Sequence, residues 1–97
     1  MDKLQKSVPY DPATELKTPE DIAAYLDAAM EDEDEQVLLM ALRHAATAIG
    51  GMSELSRRTG LSRETLYRTL SSSGNPKFST LRAILKAFGL TISVHAA

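Results

Sequence analysis

The sequence predicts an all-α fold of five helices, with an N-terminal arm before them and a short strand after them. Three observations carry that prediction. Apolar residues recur three and four positions apart through most of the chain beyond residue 18. Hydroxyl, Pro and Gly residues cut this periodicity into helix-sized lengths. Only Thr91-Ile92-Ser93-Val94-His95 changes period, setting Ile92 and Val94 at alternate positions. The 97 residues suffice for one small domain and an arm, and so small a core is in keeping with an obligate dimer.

From the N-terminus, Met1 to Lys17 has little periodicity and carries Pro9 and Pro12. Val8-Pro9-Tyr10-Asp11-Pro12 favours extended backbone, so the stretch reads as an arm whose Tyr10 packs on the body or on a partner. Thr18-Pro19-Glu20-Asp21 is a helix start, with a hydroxyl N-cap, Pro in the first turn and acids to complement the helix dipole. Ile22, Tyr25, Leu26, Ala29 and Met30 follow as one apolar stripe, which predicts a helix from about residue 19 to about 31. Such a stripe is more often core than recognition surface. Glu31 to Glu35 are five consecutive acids, read as a solvated linker running into the first turn of the next helix. Gln36 to Ile49 is the longest helix, with Leu38, Leu39, Leu42, Ala45, Ala46 and Ile49 buried and Gly50-Gly51 ending it. His44, at the edge of that face, reads as a packing histidine.

Gly51 to Leu70, GMSELSRRTGLSRETLYRTL, is the stretch around which the chain is organised. Two short helices meet at Gly60, where a left-handed residue lets the first one stop and the chain turn. Ser62 supplies the N-cap of the second helix and Glu64 an acid in its first turn. Leu55, Leu61, Leu66 and Leu70 face a common core, and Ser56 is small where the two helices approach. Arg63, Glu64, Tyr67 and Arg68 are left outside. The pattern is that of a helix-turn-helix, and its outer face has the chemistry of a helix laid in a DNA major groove. Short amphipathic helix pairs with a Gly turn also occur in proteins that never meet DNA.

Ser71-Ser72-Ser73-Gly74-Asn75-Pro76 is a polar turn segment. Ser79 or Thr80 is the expected cap of the last helix, in which Leu81, Ile84, Leu85 and Phe88 form the stripe. Gly89 closes it, with Leu90 placed for the apolar contact of a Schellman ending. The strand expected after it has no ladder partner in a helical chain, so it must pair with the arm, a second copy or another protein.

Charge is divided along the chain. Residues 1–50 carry 4 basic and 11 acidic side chains, residues 51–97 carry 7 and 2, and the total is −2. Two halves of opposite sign suggest two partners of different charge. The chain has no cysteine, hence no disulfide or thiolate metal site. No apolar run spans a membrane and Met1-Asp2-Lys3 opens no secretory signal, so a cytoplasmic protein without membrane contact is expected. With no Gly-rich phosphate loop, paired histidines or nucleophile–base pair, the expectation is a non-enzyme without catalytic residues, cofactor or metal.

Three segments carry a resemblance to a known family: GGMSELSRRTGLSRETLYRTLS (residues 50–71), GNPKFSTLRAILKAFGL (74–90) and AAYLDAAMEDED (23–34). Together they resemble the antidote subunits of addiction modules, the HigA-like helix-turn-helix antitoxins paired with RelE/HigB-like toxins that cleave mRNA. The likeness runs from about Tyr10 to about Val94. It implies a five-helix domain similar to the phage-repressor DNA-binding domain, with Glu35–Ile49 as its first helix and Ser62–Leu70 as the recognition helix. By that resemblance Ser62, Arg63, Glu64, Thr65, Tyr67 and Arg68 face the groove, while Ser53, Asn75 and Lys77 approach phosphates. The chain departs from the repressor pattern where a strand is expected in place of a fifth helix. The implied function is neutralisation of the toxin together with repression of the module's own operon.

On this basis residues 34–97 form the DNA-binding domain, which pairs as a homodimer on inverted-repeat operator DNA. Residues 1–33, the arm and acidic helix, are the candidate toxin-binding segment, with Tyr10, Ile22, Tyr25, Leu26 and Met30 as its apolar contacts. The alternative is a stand-alone helix-turn-helix regulator without a toxin, distinguished by whether a small basic toxin gene lies beside this one.

Overall fold

The computed structural model describes residues 15–97. The arm expected around Tyr10 lies outside the described residues. Those described form five helices: α1 (Pro19–Met30), α2 (Glu35–Ile49), α3 (Met52–Thr59), α4 (Arg63–Thr69) and α5 (Phe78–Ala87).

α1 starts on a reciprocal capping box. Thr18 Oγ1 accepts from the Asp21 amide at 3.1 Å, and Asp21 Oδ2 accepts from the Thr18 amide at 3.1 Å and the Lys17 amide at 2.9 Å. These bonds from the Lys17 and Thr18 amides hold the Asp21 carboxyl below its ordinary pKa. Ile22, Leu26 and Ala29 are buried, whereas Met30, in the last residue of the helix, passes the edge of the core and is 62% exposed. Leu16, expected to belong to the arm, is itself a core residue. An isolated leucine outside any periodic stripe gives no signal of its burial.

Asp34 caps α2 by accepting from the Gln36 amide at 2.9 Å. At the other end the Gly51 amide reaches the Ala46 carbonyl and the Gly50 amide the Thr47 carbonyl, a Schellman ending. α2 packs along α1, and Leu39, Leu42, Ala45 and Ala46 meet Ile22 and Leu26 in one core. A polar contact crosses the pair: the Tyr25 hydroxyl lies 2.7 Å from His44 Nδ1, with the rings stacked. His44 is a packing histidine, as its position on the stripe implied.

α3 and α4 complete the core from the other side. Leu42, Leu55, Leu66, Leu70 and Ile84 are its largest fully buried side chains, four of them from four helices and Leu70 from the residue that follows α4. Burial of each contributes about 1.5–3 kcal/mol relative to exposure. α5 packs on α3 and ends as expected: the Leu90 amide reaches the Leu85 carbonyl and the Gly89 amide the Lys86 carbonyl, each at 2.9 Å.

Two expectations are corrected. α5 begins at Phe78 rather than behind a Ser79 or Thr80 cap; Lys77 is the extended capping residue, and no side chain bonds the first-turn amides. With Ser79 exposed and the first turn in solvent, water can satisfy those donors. The C-terminal strand is absent as well. Residues 91–97 have no regular structure among the described residues, and Ile92 and Val94 are exposed. Alternating β-branched residues suit a pleated ladder but do not provide the neighbouring strand that defines one.

Candidate nucleic-acid interface

The turn between α3 and α4 is built from local chemistry. Gly60 takes φ +77°, ψ +5°, a left-handed conformation that glycine adopts without a Cβ clash, and its amide reaches the Ser56 carbonyl at 2.9 Å. Ser56 Oγ donates to the Leu61 carbonyl, so the small side chain expected at the helix approach also ties the turn across its mouth. Thr59 Oγ1 donates to the Leu55 carbonyl at 2.8 Å and accepts from the Leu61 amide at 3.2 Å. The Gly60 and Leu61 amides and the Leu61 carbonyl thereby find partners within the turn itself.

Ser62 then caps α4, accepting from the Thr65 amide at 3.0 Å. Leu66 and Leu70 point into the core at 0% exposure, and Thr65 and Thr69 are half-buried at its margin. That register turns Ser62, Arg63, Glu64, Tyr67 and Arg68 to solvent. Tyr67 is 60% exposed, an unusual position for a large aromatic ring and one suited to contact with a partner. The far end of α4 is anchored from α2, where Arg43 Nη1 donates to the Leu70 carbonyl. Behind it the loop passes so close that a Cβ on Gly74 would stand 1.9 Å from the Thr69 carbonyl oxygen.

Of the residues singled out for phosphate contact, Ser53 is brought to α4: Arg63 Nη1 donates to its Oγ at 3.3 Å. Asn75 and Lys77 are exposed in the loop between α4 and α5. No ion pair joins Glu64 to Arg68. The two arginines of α3 are instead gathered by Glu54, which takes Arg57 Nε at 3.0 Å and Arg58 Nε at 2.7 Å. Hydrogen bonds from Arg57 and then Arg58 pull the Glu54 carboxyl down to about 2. Arg58 also donates to the Ala87 carbonyl at 2.9 Å, bracing α3 against the end of α5. Arg43 and Arg58 are thus structural cations. The pairing of Arg58 with Glu54 four residues before it is readable from the spacing. The backbone carbonyls of Leu70 and Ala87 that hold Arg43 and Arg58 are distant in the chain and give no such signal.

The residues singled out for toxin contact divide sharply. Ile22 and Leu26 are core residues at 4% exposure each, with almost no surface to offer a partner. Tyr25 is half-buried against His44, and Met30 alone of the described four is open. Tyr10 lies outside the described residues.

These features define a small helical protein that presents a short, rigidly seated helix with two exposed arginines and a tyrosine, and that also carries an exposed acidic run at residues 31–35. The chain belongs to the family of probable addiction module antidote proteins, whose family model matches residues 6–96. It is similar to a protein of Haemophilus influenzae that bears only the description "Uncharacterized protein", with 38% identity over 86 residues, 89% of this chain and 88% of that one. No solved structure matched. Among the described residues no helix is long and apolar enough to cross a membrane.

Proposed function

We propose that this chain is an antitoxin that binds operator DNA through a helix-turn-helix formed by α3 and α4, and neutralises a RelE/HigB-like, mRNA-cleaving toxin by direct binding. The observation that carries the DNA half is the outer face of α4. Arg63, Tyr67 and Arg68 are exposed to solvent on a helix whose inner face is locked in the core, with Arg63 leaning on Ser53. A guanidinium so presented can take the O6 and N7 edge of a guanine, and Ser62, Glu64 and Thr65 can meet neighbouring base edges or phosphates. Ser53, Asn75 and Lys77 supply backbone contacts. One short helix reads only a few base pairs, so the site is an inverted repeat bound by a dimer, with half-sites about 34 Å or one helical turn apart.

Family membership supports the toxin half. The exposed acids from Glu31 to Glu35 are its proposed electrostatic contact, since a protein that holds RNA presents positive charge, which these carboxylates would attract. Footprinting on the promoter of the chain's own operon tests the first half; full-affinity protection of an isolated half-site would sink the dimeric reading. Co-expression with the product of the adjacent gene tests the second: capture and restored growth are expected, and continued toxicity would remove the antitoxin assignment.

A further inference from the structure

An open groove of about 670 Å3 runs between α1, α5 and the C-terminal tail, away from α3 and α4. Its floor is Leu26, Leu81 and Leu85, and its lips carry Met30 at 62% and Phe78 at 64% exposure. We propose that this groove is the surface through which two copies of the chain pair about a two-fold axis. The proposal rests on the dimeric reading above and names the face that makes the dimer.

Charge selects the occupant. α1, which forms one wall, carries acids and no basic residue, and its Asp27 lines the groove. α5, the other wall, carries no acid; Arg82 lies over the Phe78 ring at 6.0 Å, and Lys86 follows one turn later. With α1 of one copy set against α5 of the next, a two-fold axis repeats the contact, so each acidic wall would meet a basic one at both halves. A uniformly basic partner would be repelled by Arg82 and Lys86. The tail adds a second argument. Residues 91–97 are exposed, with no main-chain hydrogen-bond partner among the described residues, and Thr91, Ile92 and Ser93 border the groove. Antiparallel pairing with the identical tail of a second copy would supply the ladder that Ile92 and Val94 lack. Because the groove uses no residue of α3 or α4, pairing leaves Arg63, Tyr67 and Arg68 free for DNA.

Sedimentation of the purified full-length chain, paired with circular dichroism, tests this. The wild type is expected to be dimeric. Met30→Glu and Phe78→Glu, both at exposed positions, should weaken dimerisation by roughly tenfold or more each with helical content unchanged. Asp27→Arg and Arg82→Glu should each self-associate poorly, and a one-to-one mixture should recover a heterodimer, because both of its α1–α5 contacts then join opposite charges. If the wild type dimerises and the Glu variants dimerise equally well, the groove is not the interface while the dimeric reading stands. If the wild type occupies its operator as a monomer, both fall. A monomeric wild type whose Met30→Glu variant loses only toxin capture would give the groove to the toxin and overturn the proposal.

Discussion

At the scale of single residues, burial and hydrogen bonding separate structural from functional side chains that look alike in the sequence. Leu66 and Tyr67 are neighbours, yet one is sealed and the other open. Leu66→Ala should lower stability by about 2–5 kcal/mol through loss of packing and a residual cavity, read as a fall in the urea midpoint; an unchanged midpoint would contradict the register given to α4. Arg68→Ala should cost about 1–3 kcal/mol of discrimination between operator and altered operator. Lys77→Ala, at a proposed phosphate contact, should weaken all sequences alike and reduce the slope of log affinity against log salt by about one. Acid acts elsewhere, on Glu54 of α3, whose carboxylate is held by hydrogen bonds from Arg57 and Arg58. Its folded value of about 2 lies below the ordinary 4.5, so its contribution is present above pH 4.5 and fades as pH falls through about 2. Glu54→Gln should flatten acid unfolding across that window relative to wild type, and equal curves would show that the arginine bonds do not persist in solution.

At the scale of elements, what was legible in the sequence was local. Gly60 with Ser62, Thr18 with Asp21, and Gly89 with Leu90 each state a turn or a cap within a few residues, and each forms as expected. The apolar stripes of α1 and α2 were legible for the same reason. What was not legible depends on distant chain: the carbonyls that hold Arg43 and Arg58, the burial of Leu16, and the missing ladder for Thr91–His95. The outward face of α4 was readable as chemistry, though its partner was not. Gly74 belongs to the illegible group, since only the folded loop shows its approach to Thr69. Gly74→Ala should therefore destabilise by about 1–3 kcal/mol, comparable to forcing an extra methyl into a packed core, and tolerance of alanine in a thermal melt would mean that the loop relaxes.

At the scale of the whole molecule, α1 is bound into the same core as the helices that carry the proposed DNA face. Removing residues 1–33 would uncover the surface of α2 that Ile22 and Leu26 now cover, so the truncated chain should lose its cooperative thermal transition. A truncated chain with an unchanged transition would show that α1 is an appendage. Loss of toxin capture by that truncation would accordingly say little about where the toxin sits. Replacing Glu31, Glu33 and Glu35 with Gln keeps the core intact and isolates the electrostatic term; slower toxin association at low salt is the expected outcome.

The anchoring of α4 bears on how binding is driven. Seven residues are too few to hold a helix alone in water. Here the Ser62 cap, the buried leucines and the Arg43 bond to Leu70 maintain it before any partner arrives. The proposed docking on DNA would then carry no entropy penalty for ordering this segment, and calorimetry should give a heat-capacity change no larger than rigid surfaces would bury. Arg43→Met keeps every side chain proposed to face DNA but releases that last carbonyl. Its binding should turn more enthalpic and its heat-capacity change more negative, as coupled folding requires.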